Sequence, residues 1–184
     1  MQRGQSDLAI NASNKAVKLN PESIEPYIDR GMAYMQRGDY QQAFADFDYA
    51  LTLSMSSRRE KAELYARRGL TQYYMGDINA AISDYNLAIF MMKSLSMVYV
   101  YRGVAEMSQD NYAAAATDFT QAIHYDSDNF IAYRRRGDCQ VKLGNLRTAI
   151  KDYWRYVEIG ALNAKQRDEI RITINQLEAQ LQAA

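Results

Sequence analysis

The chain has 184 residues, 48% of them hydrophobic and 24% charged, and its 22 basic and 22 acidic side chains leave no formal net charge. That balance excludes a molecule steered as a whole toward nucleic acid or an anionic membrane, so affinity has to come from local patches. The single Cys excludes an intrachain disulfide and makes a cytoplasmic setting the simpler assumption, while the absence of any run of 18 apolar residues excludes a membrane-spanning helix.

Residues 1–20 are expected to form the second helix of a partial repeat. Met1-Gln2-Arg3-Gly4 repeats Met35-Gln36-Arg37-Gly38, and Ala9, Ala16 and Pro21 continue in the same register. Two explanations for the missing first helix stay open: the sequence is part of a longer array, or another chain covers the orphan helix. No secretory leader is visible at this end.

Four full repeats follow, over residues 24–55, 58–94, 96–127 and 128–160. Each carries Tyr-x2-Arg-Gly, and the glycines Gly31, Gly69, Gly103 and Gly137 lie 38, 34 and 34 residues apart. Downstream come Ala43, Ala81, Ala115 and Ala149, then Asp46-Phe47, Asp84-Tyr85, Asp118-Phe119 and Asp152-Tyr153. Apolar residues recur at helical spacing on both halves of each unit, for example at Tyr27, Gly31 and Tyr34 and then at Ala43, Phe47, Ala50 and Leu51. Gly38-Asp39, Gly76-Asp77 and Gly144-Asn145 break the pattern between the halves, and Asp110-Asn111 does so without Gly, since Asp and Asn tolerate left-handed backbone. The hairpin this predicts sets Gly31 opposite Ala43 and Tyr27 opposite Phe47. In the second repeat Ser57 and Glu60 form a capping box that starts its first helix about a turn early, which accounts for the four extra residues. Residues 163–182 are expected to form a capping helix with Ile170, Ile174, Leu177 and Leu181 on one stripe. A short coiled-coil seam is the alternative use of that stripe.

The pattern Tyr-x2-Arg-Gly, then Ala-x3-aromatic, then a small residue such as Ala50, Ala88 or Ala122, resembles the tetratricopeptide repeat over almost the whole chain. The resemblance implies an all-α, right-handed α-solenoid of helix-turn-helix repeats whose first helices line a concave groove that holds another protein or peptide. Met55, Lys93 and Ser127 depart from the Pro often found between repeats of that family, and Tyr156 replaces the last small residue.

Two sets of residues are candidates for a role. The pairs Arg30/Asp46, Arg68/Asp84, Arg102/Asp118 and Arg136/Asp152 all stand 16 residues apart. Recurrence in every repeat favours structural ion pairs that fix hairpin geometry over a ligand site. The second set is the apolar stripe beside the core positions, Ile28, Met32, Met35, Leu70, Tyr73, Tyr74, Met97, Val100, Val104 and Met107. With about 40 Å² of each exposed it would make a patch of about 400 Å², enough for an interaction site. The bland alternative is that these side chains fill contacts between successive helices.

Domains of the family that clamp acidic chaperone tails use a Lys/Asn/Arg set, where this chain has Ala66, Leu70, Tyr101, Ile131 and Arg135, so that specificity is not expected. Arg134 and Arg135, with Arg136, remain candidates for catching a carboxylate at one end of the groove, although Arg134 is better placed to pair with Asp138. Catalysis has no foundation in the sequence: His124 is the only His and has no partner ligand for a metal, Cys139 falls where other repeats hold small buried residues, and no Gly-rich phosphate loop occurs. The expectation is a non-enzymatic scaffold without cofactor or metal, with a protein partner, no nucleic acid and no membrane, and with homo-oligomerisation through its terminal helices as the alternative function.

Overall fold

The first helix of each hairpin ends where the turn chemistry predicts an end. Gly38, Gly76 and Gly144 take φ of 86°, 87° and 77°, and Asp110 takes φ of 60° in the turn that lacks Gly. At all four turns the residue after the left-handed one donates its N–H back to the carbonyl five residues earlier: Asp39 to Tyr34, Asp77 to Gln72, Asn111 to Glu106 and Asn145 to Gln140, at 2.8–3.0 Å. This is the 6→1 bond of a Schellman closure, which satisfies carbonyls that the helix end leaves open. The computed structural model describes residues 2–55 and 57–183, with side chains from Gly4 onward.

Among the described residues there are ten α-helices and no strand. They are α1 (Gln2–Leu19), α2 (Glu25–Arg37), α3 (Tyr40–Thr52), α4 (Arg58–Met75), α5 (Ile78–Met91), α6 (Ser96–Ser108), α7 (Tyr112–Tyr125), α8 (Phe130–Lys142), α9 (Leu146–Ile159) and α10 (Ala164–Ala183). The fold is an all-α helical-repeat array. α4 has 18 residues where α2, α6 and α8 have 13, because Ser57 Oγ accepts the Glu60 N–H at 3.2 Å and opens the helix a turn early. The second helices stop without proline: Leu53, Met92, Asp126 and Gly160 are extended there. α10 opens on a reciprocal bond not anticipated from the sequence, in which Asn163 Oδ1 accepts the Gln166 N–H and Gln166 Oε1 accepts the Asn163 N–H.

The chain divides into two compact units, Met1–Lys93 and Ser94–Ala184. In the first, α1 to α5 pack each against the next in sequence, and Tyr27, Ala43, Phe47, Ala50 and Leu64 form a buried cluster. In the second, α6 to α10 pack in the same order and α6 also touches α8. Its cluster of Ala149, Tyr153, Tyr156, Val157, Ile170, Ile174 and Leu177 shows that the stripe on α10 is spent on α9 of the same molecule. No helix is long and apolar enough to cross a membrane among the described residues.

Within each hairpin the glycine is set against an aromatic ring, and in two of them also against the backbone of the Ala read opposite it, since a Cβ on Gly69 or Gly103 would lie 3.1 or 3.3 Å from the Ala81 or Ala115 carbonyl oxygen. A Cβ on Gly31 would lie 2.6 Å from the Phe47 ring, and one on Gly69, Gly103 or Gly137 would lie 2.6–2.9 Å from Tyr85, Phe119 or Tyr153. Phe47, Tyr85 and Phe119 have no exposure, so they have nowhere to retreat. Substituting Gly103→Ala is therefore expected to cost about 1–3 kcal/mol by overpacking, read as a fall in Tm of several degrees with the helical circular dichroism retained at 20 °C. An unchanged Tm would show that the ring is free to shift.

Candidate functional site

The repeated arginine is the most connected side chain of each unit. Arg30 Nε and Nη2 donate to the two oxygens of Asp46 at 2.8 and 2.6 Å, and Arg68 does the same to Asp84 at 2.7 and 2.7 Å. Arg102 meets Asp118 at 2.9 and 2.6 Å and Arg136 meets Asp152 at 2.8 and 2.7 Å. Each is a two-pronged fork from a first helix to the second helix of its own hairpin. The Tyr three residues earlier lies beneath the guanidinium, with ring centres at 5.4–5.8 Å in Tyr27, Tyr65, Tyr99 and Tyr133. In three of the four repeats the third nitrogen reaches the helix that precedes the hairpin: Arg30 Nη1 donates to Asn14 Oδ1, Arg68 Nη1 to Asp48 Oδ1 and Arg136 Nη1 to Thr120 Oγ1. These acceptors escaped the sequence reading, although a polar residue two positions after Asp46, Asp84 and Asp118, and Asn14 in α1, were the available signal.

Burial and charge oppose each other in the forks. The bond to its Asp raises each guanidinium above its ordinary value, against burial that lowers it. Burial pushes the Asp118 carboxyl up while the Arg102 fork pulls it back, and the two short bonds keep the pair ionised.

The apolar stripe separates into three environments. Val100 is 3% exposed and belongs to the core of its unit, which corrects its expected place on an accessible face. Ile28, Met32 and Met35 are half-buried against the cluster around Phe47, and Arg67 Nη1 approaches Met32 Sδ at 2.8 Å, so these three partly fill the inter-helix contact that was the bland reading. Leu70, Tyr73, Val104 and Met107 are half-buried, whereas Tyr74 and Met97 stand 52% and 40% exposed. In the first unit Tyr74 is stacked on Tyr40 at 5.1 Å and meets the edge of Tyr73 at 5.8 Å, so its exposure is that of a fixed ring.

Arg134 and Arg135 sit in the second unit beside a cleft of about 330 Å³ lined by Phe130, Ile131, Arg134, Arg135 and Tyr156. The sequence pattern does not mark Phe130 or Tyr156 as part of a site, and marks Ile131 only as a place that departs from the clamp set. Arg134 Nε donates to Asp138 at 3.3 Å, as its i,i+4 spacing predicts. Cys139 is buried, and burial pushes its thiol up to about 11, so it is a poor nucleophile at neutral pH. His124 is exposed and lies edge-on to Tyr125. Among the described residues no group of three metal-ligating side chains comes together.

Three family models described as tetratricopeptide repeat match residues 1–67, 62–89 and 102–164. The chain belongs to the tetratricopeptide repeat family. No curated protein sequence matches it. Among solved structures it is similar to a crystal structure of MamA, with a TM-score of 0.75 and 24% identity over 84% of this chain and 88% of that one. It is also similar to YrrB, described as a tetratricopeptide repeat protein with an unusual peptide-binding site (TM-score 0.67, 16% identity, 85% and 79% coverage). The first such domain of Spaghetti (RPAP3), solved with an HSP90 peptide, aligns with a TM-score of 0.61 and 26% identity over 66% of this chain and 95% of that one.

The forks are expected to act as cooperative units. Asp152→Leu should cost about 2–4 kcal/mol because it strands a half-buried guanidinium, and Arg136→Met should cost a similar amount by stranding the buried carboxylate, while the double change Arg136→Met with Asp152→Leu should cost much less than their sum. Urea denaturation of the two single variants and their combination should give a coupling above about 1.5 kcal/mol, and additive losses would refute the pairing.

Proposed function

We propose that this chain is a non-enzymatic protein-interaction scaffold that binds an apolar or amphipathic peptide segment on the first-helix faces of its repeats. The carrying observation is apolar surface left on those faces after the cores are filled, at Leu70, Tyr73 and Tyr74 in one unit and at Met97, Val104 and Met107 in the other. Such side chains have no polar work within their own hairpins, whereas the arginines and aspartates beside them are spent on the forks. Membership of the tetratricopeptide repeat family supports a scaffold, and the peptide held by the Spaghetti domain supports a peptide as the ligand class. The peptide's acidic-tail chemistry does not carry over, because Ala66, Leu70, Tyr101 and Ile131 replace the polar clamp positions. Three such side chains in each unit, with about 40 Å² of each exposed, make about 240 Å² in all; covering that on each side gives about 12 kcal/mol gross, and association and ordering subtract a comparable sum, so affinity no tighter than micromolar is expected.

Peptide display against the immobilised full chain is expected to enrich segments with apolar residues at helical spacing. Leu70→Glu and Met97→Glu should each lower capture at least tenfold, while Leu87→Glu on α5, also an exposed apolar position, should leave it unchanged. Loss in the Leu87 variant alone would move the surface to the second helices.

Self-association is a second reading, favoured by the exposure of Leu8 and Leu19 on α1 and of Ile172 on α10. Light scattering from micromolar to millimolar chain should then show a dimer that Leu8→Glu dissolves, and a monomer throughout would remove this reading.

A further inference from the structure

The exposed side of α5 departs from the other second helices in both charge and bulk. Asn79, Ser83, Asn86, Leu87 and Phe90 recur at i, i+4, i+7, i+8 and i+11, and all five are exposed, Leu87 by 42% and Phe90 by 75%. Phe90 stands where the equivalent helices carry Thr52, His124 and Glu158, and Leu87 stands where they carry Tyr49, Gln121 and Arg155. The only charged side chain of α5 is Asp84, which is buried in its fork with Arg68.

An uncharged stripe can face a copy of itself. Around a twofold axis each residue near the axis meets its own counterpart, so like charges there repel. The exposed Arg147 and Lys151 of α9, and Lys15 and Lys18 of α1, oppose such a contact. In α3 the place of Asn86 is taken by Asp48, which is tied to Arg68. α7 exposes Ala113, Ala114 and Thr117, which are uncharged but offer little apolar area. Among the described second helices, α5 is the one that joins an uncharged stripe to large apolar side chains.

Shape agrees with charge. Leu87 sits between Ser83, one turn before it, and Phe90, one turn after it. In an antiparallel pair with Leu87 on the axis, each Phe90 ring falls over the partner's Ser83, a knob meeting a hole on both sides of the axis. The Ser83 hydroxyl already donates to the Asn79 carbonyl at 3.0 Å, so covering it strands no donor. Arg58 of α4 donates to the Phe90 carbonyl at 3.2 Å, at one end of the stripe. Antiparallel pairing keeps the two copies of Arg58 at opposite ends, whereas parallel pairing would bring them together.

We infer that two copies of this chain pair through α5, antiparallel about a twofold axis at Leu87, with each Phe90 seated over the partner's Ser83. The contact goes beyond both readings above, because it uses neither the first-helix faces nor the terminal helices. Two apolar side chains on each copy are fewer than a permanent dimer buries, so the pair should dissociate at about 100 µM chain. Both copies keep their first-helix faces, which makes the dimer bivalent for peptide.

Sedimentation velocity of the full chain from about 10 µM to about 1 mM should show monomer passing into dimer. Phe90→Asp should weaken the dimer at least tenfold with the helical circular dichroism unchanged, since Phe90 is mostly exposed. Ser83→Leu, which fills the hole, should weaken it likewise. A second readout fixes the register: a short bismaleimide should cross-link Leu87→Cys to its own copy, and should cross-link neither Leu8→Cys nor the parent chain, whose Cys139 is buried. A monomer at every concentration, a dimer that Phe90→Asp leaves intact, or equal cross-linking of Leu87→Cys and Leu8→Cys would overturn the inference. A dimer that Leu8→Glu dissolves and Phe90→Asp does not would uphold association through α1 and remove pairing through α5, and peptide capture on the first-helix faces stands apart from either result.

Discussion

One side chain per repeat locks the two helices of its hairpin in register. The arginine of each Tyr-x2-Arg-Gly motif is flanked by the ring one turn back and forked onto an aspartate of the returning helix. In the hairpins of Arg30, Arg68 and Arg136 it is also tied to the helix before the hairpin. Hydrophobic packing is tolerant of small slides between helices, whereas a two-pronged bond at 2.6–2.9 Å is not. The fork thus converts a stack of amphipathic helices, which could settle in several registers, into a repeating geometry. Its cost is the removal from water of Asp46, Asp84, Asp118 and Asp152, all buried, and that cost is what makes a half-formed pair unfavourable.

The glycine next to each arginine serves the same end by a different route. It removes the one atom that would hold the second helix away, so the aromatic ring after the aspartate lies directly on the backbone of the first helix. Arg, Gly, Asp and aromatic are thus four parts of one contact, two on each arm of the hairpin. Because this contact uses up the polar and aromatic residues of the motif, the surface available for recognition is built from what lies outside it. On the first helices those residues are mainly Leu, Met, Tyr and Val, which have no fixed role within their own hairpins.

The fourth hairpin departs from that scheme and gains a distinct surface. Tyr156 replaces a small residue and lies against Phe130, and the Arg134–Arg135–Arg136 run divides its duties: Arg136 forks, Arg134 is pinned by aromatic rings and Asp138, and Arg135 is left at the rim. A single substitution in a periodic array changes the neighbour that the next element meets. Here the adjoining helix is α10, whose Ile170, Ile174 and Leu177 share a cluster with Tyr156.

Periodicity made the helices, the turns and the Arg/Asp pairing legible before any coordinates, because each depends on residues at fixed separations within about 16 positions of one another. The left-handed Asp110 and the early start of α4 at Ser57 were legible for the same reason, being consequences of local backbone chemistry. Exposure was not. Val100 and Met97 sit three residues apart on one helix with similar apolar character, yet one is 3% exposed and the other 40%, since that depends on what packs over each from elsewhere in the chain. The same holds for the cleft between Phe130 and Tyr156, a contact between helices whose spacing no linear pattern encodes.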